Sequence, residues 1–83
     1  MAVYSYNDFR KVLRKLGFQK IRSKKHEIWY RHTATADFKV GVSHKRGEDI
    51  PRWLFYQMLK QAGIESEEEF VRILRGRRTK MTL

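Results

Sequence analysis

The chain is 83 residues long, contains no cysteine, and sets 19 Lys and Arg against 9 Asp and Glu, a net charge of +10 near neutral pH. That length supports one small domain with a modest core, and the missing cysteines exclude disulfides and zinc–thiolate sites, so the fold must stand on packing. The positive excess attracts polyanions, with nucleic acid the first candidate, an acidic protein the second and an anionic membrane a distant third.

"SYNDFRKVLRKLG" predicts the first helix. Ser5 can N-cap it, Asp8 completes a capping box and suits the positive end of the helix dipole, and Gly17 supplies a left-handed C-terminal cap. Phe9, Val12, Leu13 and Leu16 form one buried stripe, which places Arg10, Lys11, Arg14 and Lys15 on the outer face. Three strands are predicted next, over 18–23, 27–32 and 38–43. The first two are joined by a short polar turn, and the third alternates Phe38, Val40 and Val42 with Lys39, Gly41 and Ser43. In the second strand either Trp29 faces the core or Ile28 and Tyr30 do. Pro51 then opens a helix that buries Phe55, Met58, Leu59 and Ala62 and ends at Gly63. A last helix starts at Ser66, with Glu69 completing a full capping box, buries Phe70, Ile73 and Leu74, and stops near Gly76.

The order is α-β-β-β-α with a short extra C-terminal helix. Two helices with one apolar face each can cover one side of a three-stranded antiparallel sheet and leave the other wet. The expected fold is therefore an α+β two-layer sandwich of the double-stranded-RNA-binding-domain type. Residues 1–76 make the single domain and 77–83 a basic flexible tail. No apolar run is long enough to span a membrane and the N-terminus lacks a signal-peptide apolar segment, so the expected location is the cytoplasm, without membrane association.

Several chemistries find no support in the residue pattern. His26, His32, His44 and Glu27 lack the spacing of a zinc site, so no metal and no cofactor is expected. The serines lack a nucleophile-elbow context, and the glycines are scattered rather than gathered into a phosphate loop. What remains is His26 among cations. RNA carries its own nucleophile, the 2′-hydroxyl, so a protein can cleave it by moving protons and stabilising charge at phosphorus. An imidazole titrates in the right range for that proton work. Arg22, Lys24, Lys25 or Arg31 can stabilise the charge, and Tyr30 or Trp29 can stack on a splayed base. The same residues also suit a non-catalytic RNA-binding module, and the charge alone suits a subunit that binds an acidic protein.

The segments "LRKLGF", "KKHEIWYRH", "VGVSHKRGEDIP" and "LKQAGIESEEEF" occur in this order between about Ser5 and Phe70. In them the chain resembles the HicA toxins of bacterial type II toxin–antitoxin modules, small mRNA-cleaving proteins of double-stranded-RNA-binding-domain-like fold. The resemblance implies that His26 is the catalytic histidine of a metal-independent mRNA endoribonuclease, and that a HicB-type antitoxin covers the site. It leaves Arg22, Lys24, Lys25, Tyr30 and Arg31 as RNA-binding candidates, His32 and His44 as candidates for the second proton transfer, and a monomer as the expected free state. Lys24-Lys25 stand where the family has Gly-Ser, Ser43 where it has Pro, and Trp53-Leu54 where it has Gly-Thr.

Overall fold

A computed structural model describes residues 2–76. The elements are α1 (Tyr6–Lys15), β1 (Gln19–Ser23), β2 (Glu27–His32), β3 (Asp37–Val42), α2 (Arg52–Ala62) and α3 (Glu67–Arg75). The strands form one antiparallel sheet in the order β1-β2-β3. This is the expected α+β arrangement with the extra C-terminal helix. The basic tail expected over 77–83 lies outside the described residues. No helix among the described residues is long and apolar enough to cross a membrane.

Helix α1 starts as its sequence requires. Ser5 Oγ accepts from the Asp8 amide and the Asp8 carboxylate accepts from the Ser5 amide, so two otherwise unpaired donors are satisfied reciprocally. The next unpaired amides, those of Tyr6 and Asn7, donate to the carbonyls of Glu48 and Arg46 at 3.1 and 2.9 Å. The helix N-terminus thereby fastens the long connection between β3 and α2. Phe9, Val12 and Leu13 are fully buried, and Leu16 packs against them at the edge of the core.

Two of the basic residues expected on the outer face of α1 have other partners. Arg10 is only 6% exposed, because its side chain flanks the apolar stripe and crosses to Glu27 on β2. Lys15 remains exposed, but its ammonium donates to the carbonyls of Ile73, Leu74 and Gly76 at the end of α3. A cation there satisfies unpaired carbonyls and complements the negative end of the helix dipole.

The sheet resolves which face of β2 is inward. Trp29 is 3% exposed and belongs to the core with Val40 and Val42 of β3, whereas Ile28 and Tyr30 are half-exposed on the opposite face. Because strand side chains alternate, a core Trp29 forces Glu27 inward as well. Among the described residues β1 pairs only with β2, and all of its residues are exposed. An irregularity between Lys20 and Arg22 places Ile21 out of register, a bulge of the kind that blunts a sheet edge.

In α2, Phe55, Met58, Leu59 and Ala62 face the core as their spacing predicts, while Trp53 is exposed. Helix α3 packs on α1 through the fully buried Phe70, which meets Tyr4, Phe9 and Phe55 at ring-centroid distances of 5.0–5.1 Å. Ser66 caps α3 by accepting from the Glu69 amide. The reciprocal half of the expected box is displaced by one residue, because the Glu69 carboxylate accepts from the Glu65 amide at 3.2 Å. Arg52 of α2 donates to Glu67 of α3 at 2.8 Å, and the Tyr4 hydroxyl donates to the same carboxylate at 2.9 Å. These two contacts join both helices to the N-terminal segment.

Gly63 ends α2 with φ 75°, and a Cβ there would lie 2.6 Å from the Phe38 ring. Gly63→Ala therefore combines left-handed backbone strain of roughly 1–2 kcal/mol with a displaced core-edge aromatic. Chemical denaturation should show a loss at least that large. Gly47→Ala, where a Cβ meets nothing within 4 Å, should stay within about 0.5 kcal/mol of the wild type.

Candidate functional site: a basic end of the sheet around His26

The pairing of Glu27 with Val42 brings two connections to one end of the sheet: the β1–β2 turn of residues 24–26 and the segment that leaves β3 at Ser43. Beneath them lies a buried ion pair. Arg10 Nε donates to Glu27 Oε1 at 2.8 Å and Nη2 to Oε2 at 3.2 Å, a bidentate contact. Arg10 Nη2 also donates to the Ser43 carbonyl at 2.7 Å, Nη1 donates to Asn7 at 2.9 Å, and Trp29 Nε1 donates to Glu27 Oε1 at 3.0 Å. Burial pushes the Glu27 carboxyl up, but the hydrogen bonds from Arg10 and Trp29 and the Arg10 charge outweigh it. The net result is a carboxyl held below the usual range.

His44 extends this network toward solvent. Its Nδ1 lies 3.9 Å from Glu27 Oε2, and its Nε2 lies 2.7 Å from the Lys24 carbonyl oxygen. Since a carbonyl only accepts, Nε2 carries the hydrogen of that bond. The histidine thus bridges the buried pair and the turn that carries His26.

His26 itself is exposed at the tip of the turn. Arg22, Lys24 and Lys25 come to this end from the β1 side, and Lys45 and Arg46 from the other connection, all of them exposed. The last two add positive charge on the connection that His44 ties to this turn, and sequence reasoning did not assign them. Their signal was present in "SHKRG" directly after a predicted strand, but nothing in the sequence said which turn that strand end would adjoin. The other RNA-binding candidates lie elsewhere. Tyr30 is half-buried on the wet face opposite Gln19 and Lys39, and the Arg31 guanidinium sits 6.0 Å from the Phe18 ring. His32 is at the far end of β2, bonded to Asp37, about 20 Å along the strand from His26. Of the two further histidines, the fold brings only His44 to the His26 turn. Among the described residues, no group of three or more His, Asp or Glu side chains converges as metal ligands would.

The buried pair generates two expectations. Arg10→Ala leaves the Glu27 carboxylate buried without its cation and should cost about 3–5 kcal/mol in denaturant unfolding; a loss under about 1 kcal/mol would contradict the assigned role. Because the folded state holds the Glu27 carboxyl below its unfolded value, its contribution is present above the ordinary carboxylate range and is lost as pH falls through the depressed value. Wild-type stability should therefore fall more steeply than that of Glu27→Gln between about pH 5 and pH 2.

Comparison with known proteins gives one family. A family model described as the HicA toxin of bacterial toxin–antitoxin matches residues 6–64, from the start of α1 to just past α2 and so most of the chain. No curated protein and no solved structure matches. The matched span includes the His26 turn, His44, the cations of both connections and the Arg10–Glu27 pair. The chain belongs to the HicA toxin family of bacterial toxin–antitoxin systems.

Proposed function

We propose that this toxin is a metal-independent mRNA endoribonuclease in which His26 moves the proton and the surrounding cations hold the phosphate. The observation that supports it is one exposed imidazole at a turn that also carries Lys24 and Lys25, next to Arg22, and that His44 ties to the connection bearing Lys45 and Arg46. A histidine among these cations supplies the two things that RNA self-cleavage lacks. Fixed positive charge stabilises the extra negative charge that develops on the phosphate oxygens. The His26 imidazole accepts the proton of the 2′-hydroxyl. As the 2′-oxygen bonds to phosphorus, the bond to the 5′-oxygen breaks, and that oxygen takes a proton from water as it leaves. The products carry a 2′,3′-cyclic phosphate and a 5′-hydroxyl.

Membership of the family implies an antitoxin partner. A HicB-type antitoxin that covers the His26 turn with acidic side chains fits the net charge of +10. Lys24-Lys25, standing where small residues are usual in the family, add charge next to the catalytic group. They favour tight backbone binding by this member, in the cytoplasm where its message substrates are. Tyr30 on the wet face and Arg31 on the opposite face of β2, over Phe18, then act as outlying contacts away from the reacting phosphate.

Purified protein incubated with single-stranded RNA in EDTA should cleave it and leave 2′,3′-cyclic ends. His26→Ala should lose roughly 100- to 10,000-fold of that rate while still binding RNA. Equal cleavage by both proteins would remove His26 from the mechanism, and salt-sensitive binding without cleavage would make the chain an RNA-binding module. The double variant Lys24→Ala/Lys25→Ala should weaken binding and flatten the log–log salt dependence by about 1.4, at roughly 0.7 per phosphate contact on a single strand.

A further inference from the structure

We propose that His44 is a positioning residue, a strut that fixes the β1–β2 turn and thereby aims His26, and is not the second proton-transfer group. The inference rests on the ribonuclease reading for its catalytic consequence, but its structural content stands on the geometry alone.

Three observations converge on it. The turn of residues 24–26 is exposed throughout, and Ser23↔Glu27 is the last backbone pair beneath it. Such a turn samples many conformations unless something holds it. The Lys24 carbonyl is held, at 2.7 Å, by His44 Nε2 across a separation of twenty residues in the chain. The strut in turn stands on a rigid base. Its other ring nitrogen faces Glu27 Oε2 at 3.9 Å, and Glu27 is locked by Arg10 and Trp29. The backbone just before His44 is fixed too, because Arg10 Nη2 holds the Ser43 carbonyl. One buried guanidinium thus sets the base of the strut and the carboxylate behind it.

The same geometry argues against a proton-transfer role. A general acid must present a hydrogen to the leaving oxygen within about 2.6–3.2 Å. The hydrogen on His44 Nε2 is already directed at a backbone carbonyl, and Nδ1 lies 3.9 Å from the buried Glu27 carboxylate. Both nitrogens serve the protein. An amide can replace the function that remains, donation to the Lys24 carbonyl. A glutamine reaches about as far as imidazole Nε2 and donates without carrying a titratable proton.

The test compares wild type with His44→Gln and His44→Ala, using two readouts. The first is single-turnover cleavage of a short RNA in EDTA beside equilibrium RNA binding. His44→Ala should lose about 100-fold in cleavage rate, the scale set by a misplacement of about 1 Å, with affinity changed less than about threefold. His44→Gln should recover most of that rate. The second readout is the backbone order parameter of Lys24, Lys25 and His26 in the free protein. It should stay near 0.85 in wild type and His44→Gln and fall below about 0.6 in His44→Ala. Folding is checked in the same spectra, since the dispersed core resonances of Trp29 and Val40 must be kept. If His44→Gln is as slow as His44→Ala while its turn stays ordered, His44 transfers protons and the proposal fails. It fails equally if the turn of His44→Ala is as ordered as that of wild type. A wild type that cleaves no RNA would overturn the ribonuclease reading instead, and the order parameters would still decide the strut.

Discussion

The molecule is organised around the pair of Arg10 and Glu27. Taking a guanidinium and a carboxylate out of water costs several kcal/mol per ion unless the geometry and the remaining hydrogen bonds are good. Here they are. Arg10 reaches Glu27 twice and also reaches Asn7 and the Ser43 carbonyl, while Glu27 accepts a further bond from the Trp29 indole. Through these bonds one side chain of α1 touches the first residue of β2 and the first residue after β3. An apolar pair of the same volume would fill the space, but it would not specify where those two chain ends lie. The ionic pair sets register at the end of the sheet where the positive charge gathers.

From that base the molecule becomes steadily less buried and less constrained. The pair is inside, His44 is half-exposed, and His26 is exposed. A group that must meet a phosphate has to be at the surface, and a turn at the surface is the least restrained part of the chain. The arrangement reconciles the two demands by transmitting rigidity outward through hydrogen bonds. The net charge of +10 attracts polyanions at longer range.

Much of the architecture was legible in the sequence because its signals are local. The Ser5 and Ser66 caps, the Phe9–Val12–Leu13 stripe and the Phe38–Val40–Val42 alternation each follow from spacing within a few residues, and the sheet order follows from short connections. What escaped was long-range or ambiguous in phase. Arg10 reads as a surface residue because charged side chains on a helix almost always are, and its partner is seventeen residues away. Glu27 becomes inward only once Trp29 is known to be inward, a choice that packing makes and periodicity does not. For the same reason the sequence could name His32 and His44 together as companions of His26. The antiparallel pairing of β2 with β3 sends one to the far end of the sheet and returns the other to the turn. That same return brings the connection bearing Lys45 and Arg46 to this end of the sheet.

The central claim is that the RNA supplies its own nucleophile and the protein supplies an aimed histidine. It is tested most directly by a short RNA with a single cleavage position, compared with the same RNA lacking only the 2′-hydroxyl at that nucleotide, in EDTA. The account predicts that the unmodified strand is cut to a 2′,3′-cyclic end and the deoxy-substituted strand is bound as tightly but left intact. Cleavage of the deoxy-substituted strand at the same position would mean that water attacks phosphorus, and would contradict it.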